Sequence, residues 1–122
     1  MLLIREMEVA DVEAVSKIES EAFSMPWSAR DFLEMVEADY AYYYVAEADG
    51  NLAGCCGIRN MAGEGEITNV VVAADYRKKG IGRKMMEYML ERAKENGMGA
   101  CTLEVRVSNR PAIRLYESLG FK

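Results

Sequence analysis

Three short stretches of the sequence carry residues able to do chemistry: Arg77-Lys78-Lys79-Gly80-Ile81-Gly82, Glu104 and Tyr116. The hexapeptide sets three cations and two glycines at the start of a segment whose apolar residues, Ile81, Met85, Met89, Leu90 and Ala93, recur at helical spacing. No Ser, Thr, Asp or Asn stands within 77–82 to cap that helix, so its first backbone N–H groups lack an internal partner. The glycines let another group approach the backbone closely, and the helix dipole adds positive potential. A phosphate or pyrophosphate would satisfy all of these features at once. A solvated turn with basic surface residues accounts for the same letters equally well. Glu104 and Tyr116 are a carboxylate and a phenol. The first can take a proton from an ammonium, directly or through water, and the second can return one to a departing thiolate, which suits amine acylation. The plainer account of the same pair is an exposed glutamate at a strand end and a tyrosine packing its ring on the core. The chain has no histidine, so any general base is another residue type.

Two common phosphate motifs fail on spelling. A P-loop needs Gly-Lys-Ser/Thr, but Gly82 is followed by Arg83-Lys84-Met85; a dinucleotide fingerprint needs a third glycine where Met85 stands. What remains is Arg-x-x-Gly-x-Gly directly after a β-branched run, Ile67, Val70, Val71 and Val72, that suits a mostly buried strand. Gly97 after Lys94 is a good helix stop.

The remaining elements position this junction. Leu2 to Met7 suits a first strand, and Val12, Val15, Ile18 and Ala22–Phe23 mark a helix with one apolar stripe. Pro26-Trp27-Ser28 interrupts it. Ser28, with Asp31 three residues on, forms an approximate capping box for a short helix whose apolar face is Phe32, Leu33 and Val36. Trp27, in the loop between the helices, reads as a packing anchor, with a ligand contact as the other reading of the same residue. Ala41 to Glu47 is a strand by its aromatic and β-branched content, Asp49-Gly50 a hairpin turn, and Leu52 to Asn60 the returning strand. Gly54 and Gly57 mark a bulge or a close contact in it. Gly63-Glu64-Gly65 turns the chain into the strand before the basic loop. Beyond the helix, Cys101, Leu103 and Val105 alternate with polar or small residues as a half-buried fifth strand. A strand–helix–strand unit over 66–105 makes strands four and five parallel. Glu104 then falls at the carboxyl end of a parallel strand, the edge where open α/β sheets place ligands. Asn109 caps a last helix with Pro111 in its first turn and Gly120 at its end.

A chain of 122 residues with 51% hydrophobic content reads as one domain with a real core. Its net charge of −5, from 15 basic and 20 acidic residues, disfavours nonspecific nucleic-acid binding and allows a basic peptide partner. No run of about 18 apolar residues offers a membrane span, and the acids soon after the start of MLLIREMEVADVEA are unlike a signal peptide. Cys55, Cys56 and Cys101 are odd in number and lack metal spacing; adjacent Cys55 and Cys56 would point to opposite faces of a strand. All three read as reduced core or near-core residues of a cytoplasmic protein.

The Arg77–Gly82 loop, in its place between strand and helix, resembles the acetyl-CoA pyrophosphate loop of the GNAT acetyltransferase superfamily. Leu103-Glu104-Val105-Arg106, Ser108-Asn109 and Ala112-Ile113-x-Leu115-Tyr116-Glu117-x-Leu119-Gly120-Phe121 are similar to the pattern of its bacterial ribosomal-protein alanine N-acetyltransferase (RimI) family. Phe23, Pro26-Trp27-Ser28 and Phe32 fit that family's acceptor-side segment, so the likeness spans nearly the whole chain. It implies one α/β GNAT domain over 1–122: three layers about a mixed, largely antiparallel sheet. It implies acetyl transfer from acetyl-CoA, without a metal, to a protein N-terminal amine. The usual acceptor is the N-terminal alanine of the eighteenth small-subunit ribosomal protein, and no nucleic acid or membrane is a direct partner. The general base then falls on Glu104 and the general acid on Tyr116. The acetyl-CoA contacts fall on the backbone of Val70, Val71 and Val72, on Arg77, Lys78, Lys79, Gly80, Ile81, Gly82 and Arg83, and on Asn109. GNAT lysine and small-amine acetyltransferases share this layout. Family members continue beyond Gly-Phe into two more strands, which wall the acceptor site. A chain ending at Lys122 is therefore expected to expose a sheet edge, to invite pairing with another chain, and to keep coenzyme A binding better than acceptor recognition, so that a catalytically weak coenzyme A-binding module stands as the alternative to an active transferase.

Overall fold

The computed structural model describes residues 2–22, 27–77, 80–98 and 100–103. The expectations for Phe23, Pro26, Lys78, Lys79, Glu104, Asn109, Tyr116 and the last helix lie outside them. In chain order the elements are β1 (Leu2–Glu6), a 3-10 turn (Val9–Asp11), α1 (Val12–Ala22), α2 (Ala29–Glu37), β2 (Ala41–Ala48) and β3 (Asn51–Met61), followed by β4 (Glu64–Val72), a second 3-10 turn (Ala74–Tyr76), α3 (Ile81–Glu95) and β5 (Ala100–Leu103). The five strands form one sheet in the order β1-β2-β3-β4-β5. The first three junctions are antiparallel and the last, β4 with β5, is parallel, as a strand–helix–strand unit requires. No helix among the described residues is long and apolar enough to cross a membrane.

The sheet separates two cores. On one face Val12 and Val15 of α1 and Phe32 of α2 pack with Tyr43, Val45, Cys55 and Val71. On the other, Ile81, Met85, Met86, Met89 and Ala93 of α3 pack with Tyr44, Ala46, Cys56, Ile58 and Ile67. Alternation along β3 thus sends Cys55 and Cys56 to opposite faces, both fully buried as free thiols. Burial pushes both thiols above their ordinary pKa, so they remain protonated. The α3 stripe differs from expectation at two residues. Met86 is fully buried and Leu90 only half so, because the apolar face is wide enough to include a second row of the helix. Each fully buried methionine stabilises the fold by roughly 1.5–3 kcal/mol.

The helix ends follow their residues. Ser28 Oγ accepts from the Asp31 N–H at 3.2 Å while Asp31 Oδ2 accepts from the Ser28 N–H at 2.9 Å, a reciprocal capping box that starts α2. At the far end of α3, Gly97 turns left-handed with φ 80°. Its N–H donates to Lys94 O at 3.2 Å, and that of Met98 to Ala93 O at 3.0 Å, satisfying carbonyls the helix leaves open.

The β3–β4 turn falls on Ala62 (φ 56°) and Gly63 (φ 91°), with β4 already begun at Glu64. This corrects the expected turn over Gly63-Glu64-Gly65. Asn60 Oδ1 accepts from the Gly63 N–H at 2.9 Å, which holds a non-glycine residue in the left-handed region beside it.

Two register shifts shape the strands that lead to the basic loop. Ala53, next to Gly54, is the extra residue of β3 against β2, since Ala46 pairs Gly54 while Glu47 pairs Leu52. Thr68 is the extra residue of β4 against β3, since Gly57 pairs Asn69 while Ile58 pairs Ile67. Ile67 and Val70 are three apart, so strict alternation would put them on opposite faces; both pack against α3 because the bulge at Thr68 absorbs one residue.

Candidate active site

The site is built where β4 ends and α3 begins. Val70 and Val72 lean on the α3 core and Val71, 5% exposed, on the α1/α2 core, which clamps the end of the strand from both sides. The described β4–β5 ladder runs from Glu64 paired with Ala100 to Ile67 paired with Leu103. Among the described residues, the part of β4 beyond Ile67 is paired with β3 alone.

After Val72 the chain turns through Ala74–Tyr76, tied back by the Ala73 N–H donating to Ala53 O at 2.7 Å. Arg77 is exposed, and its Nε donates to Val72 O at 3.0 Å, bracing the loop against the end of β4. Gly80 adopts φ 77° with open space around it and stands at the N-cap position of α3. Among the described residues no side chain caps this start, and no acidic residue occupies its first turn. Gly80 O accepts from the Lys84 N–H at 3.1 Å, so the ladder begins there and the N–H groups of the first turn have no intrahelical acceptor. Ile81, 6% exposed, anchors the turn in the core. Gly82 is half-buried, and Arg83 is exposed with Glu87 3.7 Å from its Nε. Arg83 in a first turn opposes the helix dipole, an arrangement that a bound anion would relieve.

Of the residues singled out in the sequence, the structure thus brings together Val70, Val71, Val72, Arg77, Gly80, Ile81, Gly82 and Arg83 at one junction. Lys78, Lys79, Glu104, Asn109 and Tyr116 lie outside the described residues.

On the opposite side of the sheet from α3, an aromatic group faces the same stretch of β4. Trp27 is half-buried, its ring 5.4 Å from that of Phe32 and 6.2 Å from that of Tyr43. It is therefore a packing anchor, as expected. The Tyr43 hydroxyl is hydrogen-bonded to Thr68 Oγ1, and Thr68 Oγ1 lies 3.4 Å from Gly57 O. Burial pushes the Tyr43 phenol well above its usual pKa, against the lowering effect of the Thr68 bond. Glu19, 3% exposed on the buried stripe of α1, adds negative potential at both Tyr43 and Cys55. Neither Tyr43 nor Thr68 stood out in the sequence; the only signal was Gly57, across whose Cα the Tyr43 ring lies.

The chain matches the acetyltransferase (GNAT) family model over residues 12–121. The [ribosomal protein bS18]-alanine N-acetyltransferase of Escherichia coli strain K12 is 33% identical over 99% of this chain and 81% of its own. A Bacillus subtilis protein that carries the same name provisionally is 38% identical over 98% of this chain and 80% of its own. An N-alpha-acetyltransferase of Sulfurisphaera tokodaii is 33% identical over 98% of this chain and 79% of its own. The crystal structure of the Escherichia coli ribosomal-protein-S18-alanine N-acetyltransferase superposes on all of this chain and 78% of its own with a TM-score of 0.91 and 32% identity. This chain therefore spans about four-fifths of the length of these relatives. These likenesses in sequence and fold show that the chain belongs to the GNAT family of acetyl-CoA-dependent N-acetyltransferases.

Proposed function

We propose that the chain transfers acetyl from acetyl-CoA to the N-terminal α-amine of a protein, and that the acceptor is the N-terminal alanine of ribosomal protein bS18. The observation that carries the cofactor half of this reading is the start of α3, with its Gly80 N-cap, its lack of a side-chain cap and an arginine set against its own dipole. The acceptor half is supported by relatives named for bS18-alanine and for N-alpha acetylation, each about one-third identical or more.

In this reading the diphosphate of acetyl-CoA rests on the N–H groups of Gly80, Ile81 and Gly82, flanked by Arg77, Lys78, Lys79 and Arg83. The pantetheine lies along the β4 backbone at Val70, Val71 and Val72, with Asn109 as a further contact. Glu104 takes a proton from the acceptor ammonium. The amine nitrogen then attacks the thioester carbonyl carbon, the C–S bond breaks, Tyr116 gives its proton to the departing thiolate, and the second proton on the acylated nitrogen passes to the Tyr116 phenolate to leave the neutral amide. A backbone N–H near Val70 steadies the oxyanion. The acceptor's own acidity favours an N-terminus. An α-amine titrates near ~8 and a lysine near ~10.4, so at neutral pH the free base is roughly a tenth of the first and under a thousandth of the second. A single glutamate base is therefore a lighter demand for an N-terminal acceptor than for a lysine. The reaction belongs in the cytoplasm, where acetyl-CoA meets newly made ribosomal protein.

Tandem mass spectrometry of an alanine-starting bS18 peptide incubated with the chain and acetyl-CoA tests the acceptor. Acetylation at the α-amine is expected; modification confined to lysine side chains would refute it. Glu104→Gln and Tyr116→Phe should each slow transfer by about 100-fold while acetyl-CoA affinity stays within about twofold. Wild-type rates in both would remove the site assignment.

A further inference from the structure

Thr68 occupies an unusual place. It is the extra residue of the β4 bulge, and it immediately follows Ile67, the last residue of β4 in the described ladder with β5. A bulge changes the phase of a strand, so the residues after it present their side chains and their N–H and C=O groups in the opposite sense from an unbroken strand. Here that phase change puts Val70 and Val72 on the α3 face and Val71 on the other. The same step decides which backbone groups of 69–72 turn toward β3 and which turn away from it.

A bulge is a local disruption of the ladder and needs something to hold it. Thr68 provides it through its side chain. Its Oγ1 lies 3.4 Å from Gly57 O on the partner strand in donor geometry, and the Tyr43 hydroxyl bonds the same oxygen. If Thr68 donates to the carbonyl, the Tyr43 O–H must donate to Thr68, giving a directed relay from phenol to hydroxyl to carbonyl. Tyr43 is 5% exposed and reaches Thr68 by lying flat across Gly57, where any Cβ would run into its ring. Phe32 and Trp27 hold that ring from the other side, with Phe32 edge-on at 6.4 Å between centroids. The three positions belong to three adjacent strands, β2, β3 and β4, so the clasp spans the sheet at the level of the bulge.

We infer that Tyr43 and Thr68 are positioning residues for acetyl transfer: their hydroxyl clasp over Gly57 holds the β4 bulge and so aims the Val70–Val72 backbone at the thioester. This rests on the cofactor placement proposed above. Because the clasp lies on the face away from α3, it does not touch the diphosphate site, and its loss should fall on turnover rather than on cofactor affinity.

Thr68→Val removes the hydroxyl at nearly constant volume; Thr68→Ser keeps it. In the bS18-peptide assay, Thr68→Val is expected to lower kcat about tenfold, since small misplacements of reacting groups carry large rate penalties. Acetyl-CoA affinity by calorimetry should stay within about twofold, and Thr68→Ser should recover kcat to within about threefold. Tyr43→Phe should match Thr68→Val, and the double variant should be no slower than either single one. A kcat unchanged in Thr68→Val, or equal losses in Thr68→Val and Thr68→Ser, would overturn the clasp, and these two variants suffice should Tyr43→Phe fold poorly. A wild-type chain that binds no acetyl-CoA would instead overturn the cofactor placement, and the clasp with it. Wild-type binding and transfer with an indifferent Thr68→Val would overturn the clasp alone.

Discussion

The starts of α2 and α3 solve one problem in opposite ways. Each helix opens with N–H groups that lack an intrahelical acceptor. At α2, Ser28 and Asp31 close them from within, each side chain answering the other's backbone, and Asp31 places negative charge where the dipole favours it. At α3 the chain supplies a left-handed glycine, no cap, no acid, and Arg83 in the unfavourable place. The second start is worse as a helix terminus and better as an anion site. A helix whose underside is fully buried, as that of α3 is at Met85, Met86 and Met89, can tolerate such an end because its stability comes from packing.

This contrast can be broken most sharply at Gly82. Gly82→Asp puts a carboxylate into the first turn of α3, which suits the dipole, so thermal stability should hold or rise slightly. The same carboxylate would face the cofactor's phosphates, and like charges so placed cost several kcal/mol, so acetyl-CoA affinity should fall by about 100-fold or more. Calorimetry and a melting curve on one preparation read both signs; a parallel loss of stability and binding would mean the loop is merely structural. Next in size is Gly80→Ala. Nothing crowds a Cβ there, so its cost comes from the left-handed backbone alone, about 1–2 kcal/mol in denaturant unfolding, with weaker acetyl-CoA binding as the turn opens. Unchanged stability would show that the loop does not depend on that conformation. The smallest change is expected at the other start. Ser28→Ala should cost about 1 kcal/mol of stability and leave acetyl-CoA affinity unaltered, and a binding defect there would erase the distinction between the two helices.

Much of this was legible from single letters. The α2 capping box followed from a serine and an aspartate three apart, and the Asp49-Gly50 turn from its dipeptide. The end of α3 followed from Gly97, and the parallel pairing of β4 and β5 from the helix between them. Each of these is a local rule, with signal and consequence within a few residues. What stayed hidden was nonlocal or carried by residues without a special alphabet. Ala62 gives no notice that it will take a positive φ, so the turn was expected one step late. In the Val9–Asp11 turn Asp11 caps locally, its Oδ2 accepting from the Glu8 N–H at 2.8 Å, but its longer-range role has no spacing signal: the Arg5 guanidinium grips both carboxylate oxygens at 2.8 and 2.9 Å and holds its pKa below the usual range. Gly57 announced a close contact, but not that Tyr43, fourteen positions earlier in the chain, would make it. The bulge at Thr68 was invisible for a related reason. The three valines at 70–72 fit either phase, and only packing against α3 on one face and α1 and α2 on the other chooses one.

The methionines beneath α3 have a further consequence for wear. Met61, half exposed on the β3–β4 hairpin, is open to peroxide, whereas Met85, Met86 and Met89 are sealed against the sheet. A sulfoxide is polar and larger than the thioether it replaces, so it could form in that layer only while the helix had lifted, and it would then hinder reseating. Among the described methionines, oxidation would therefore start at a hairpin tip. It would become damaging only as fast as α3 lifts from the sheet.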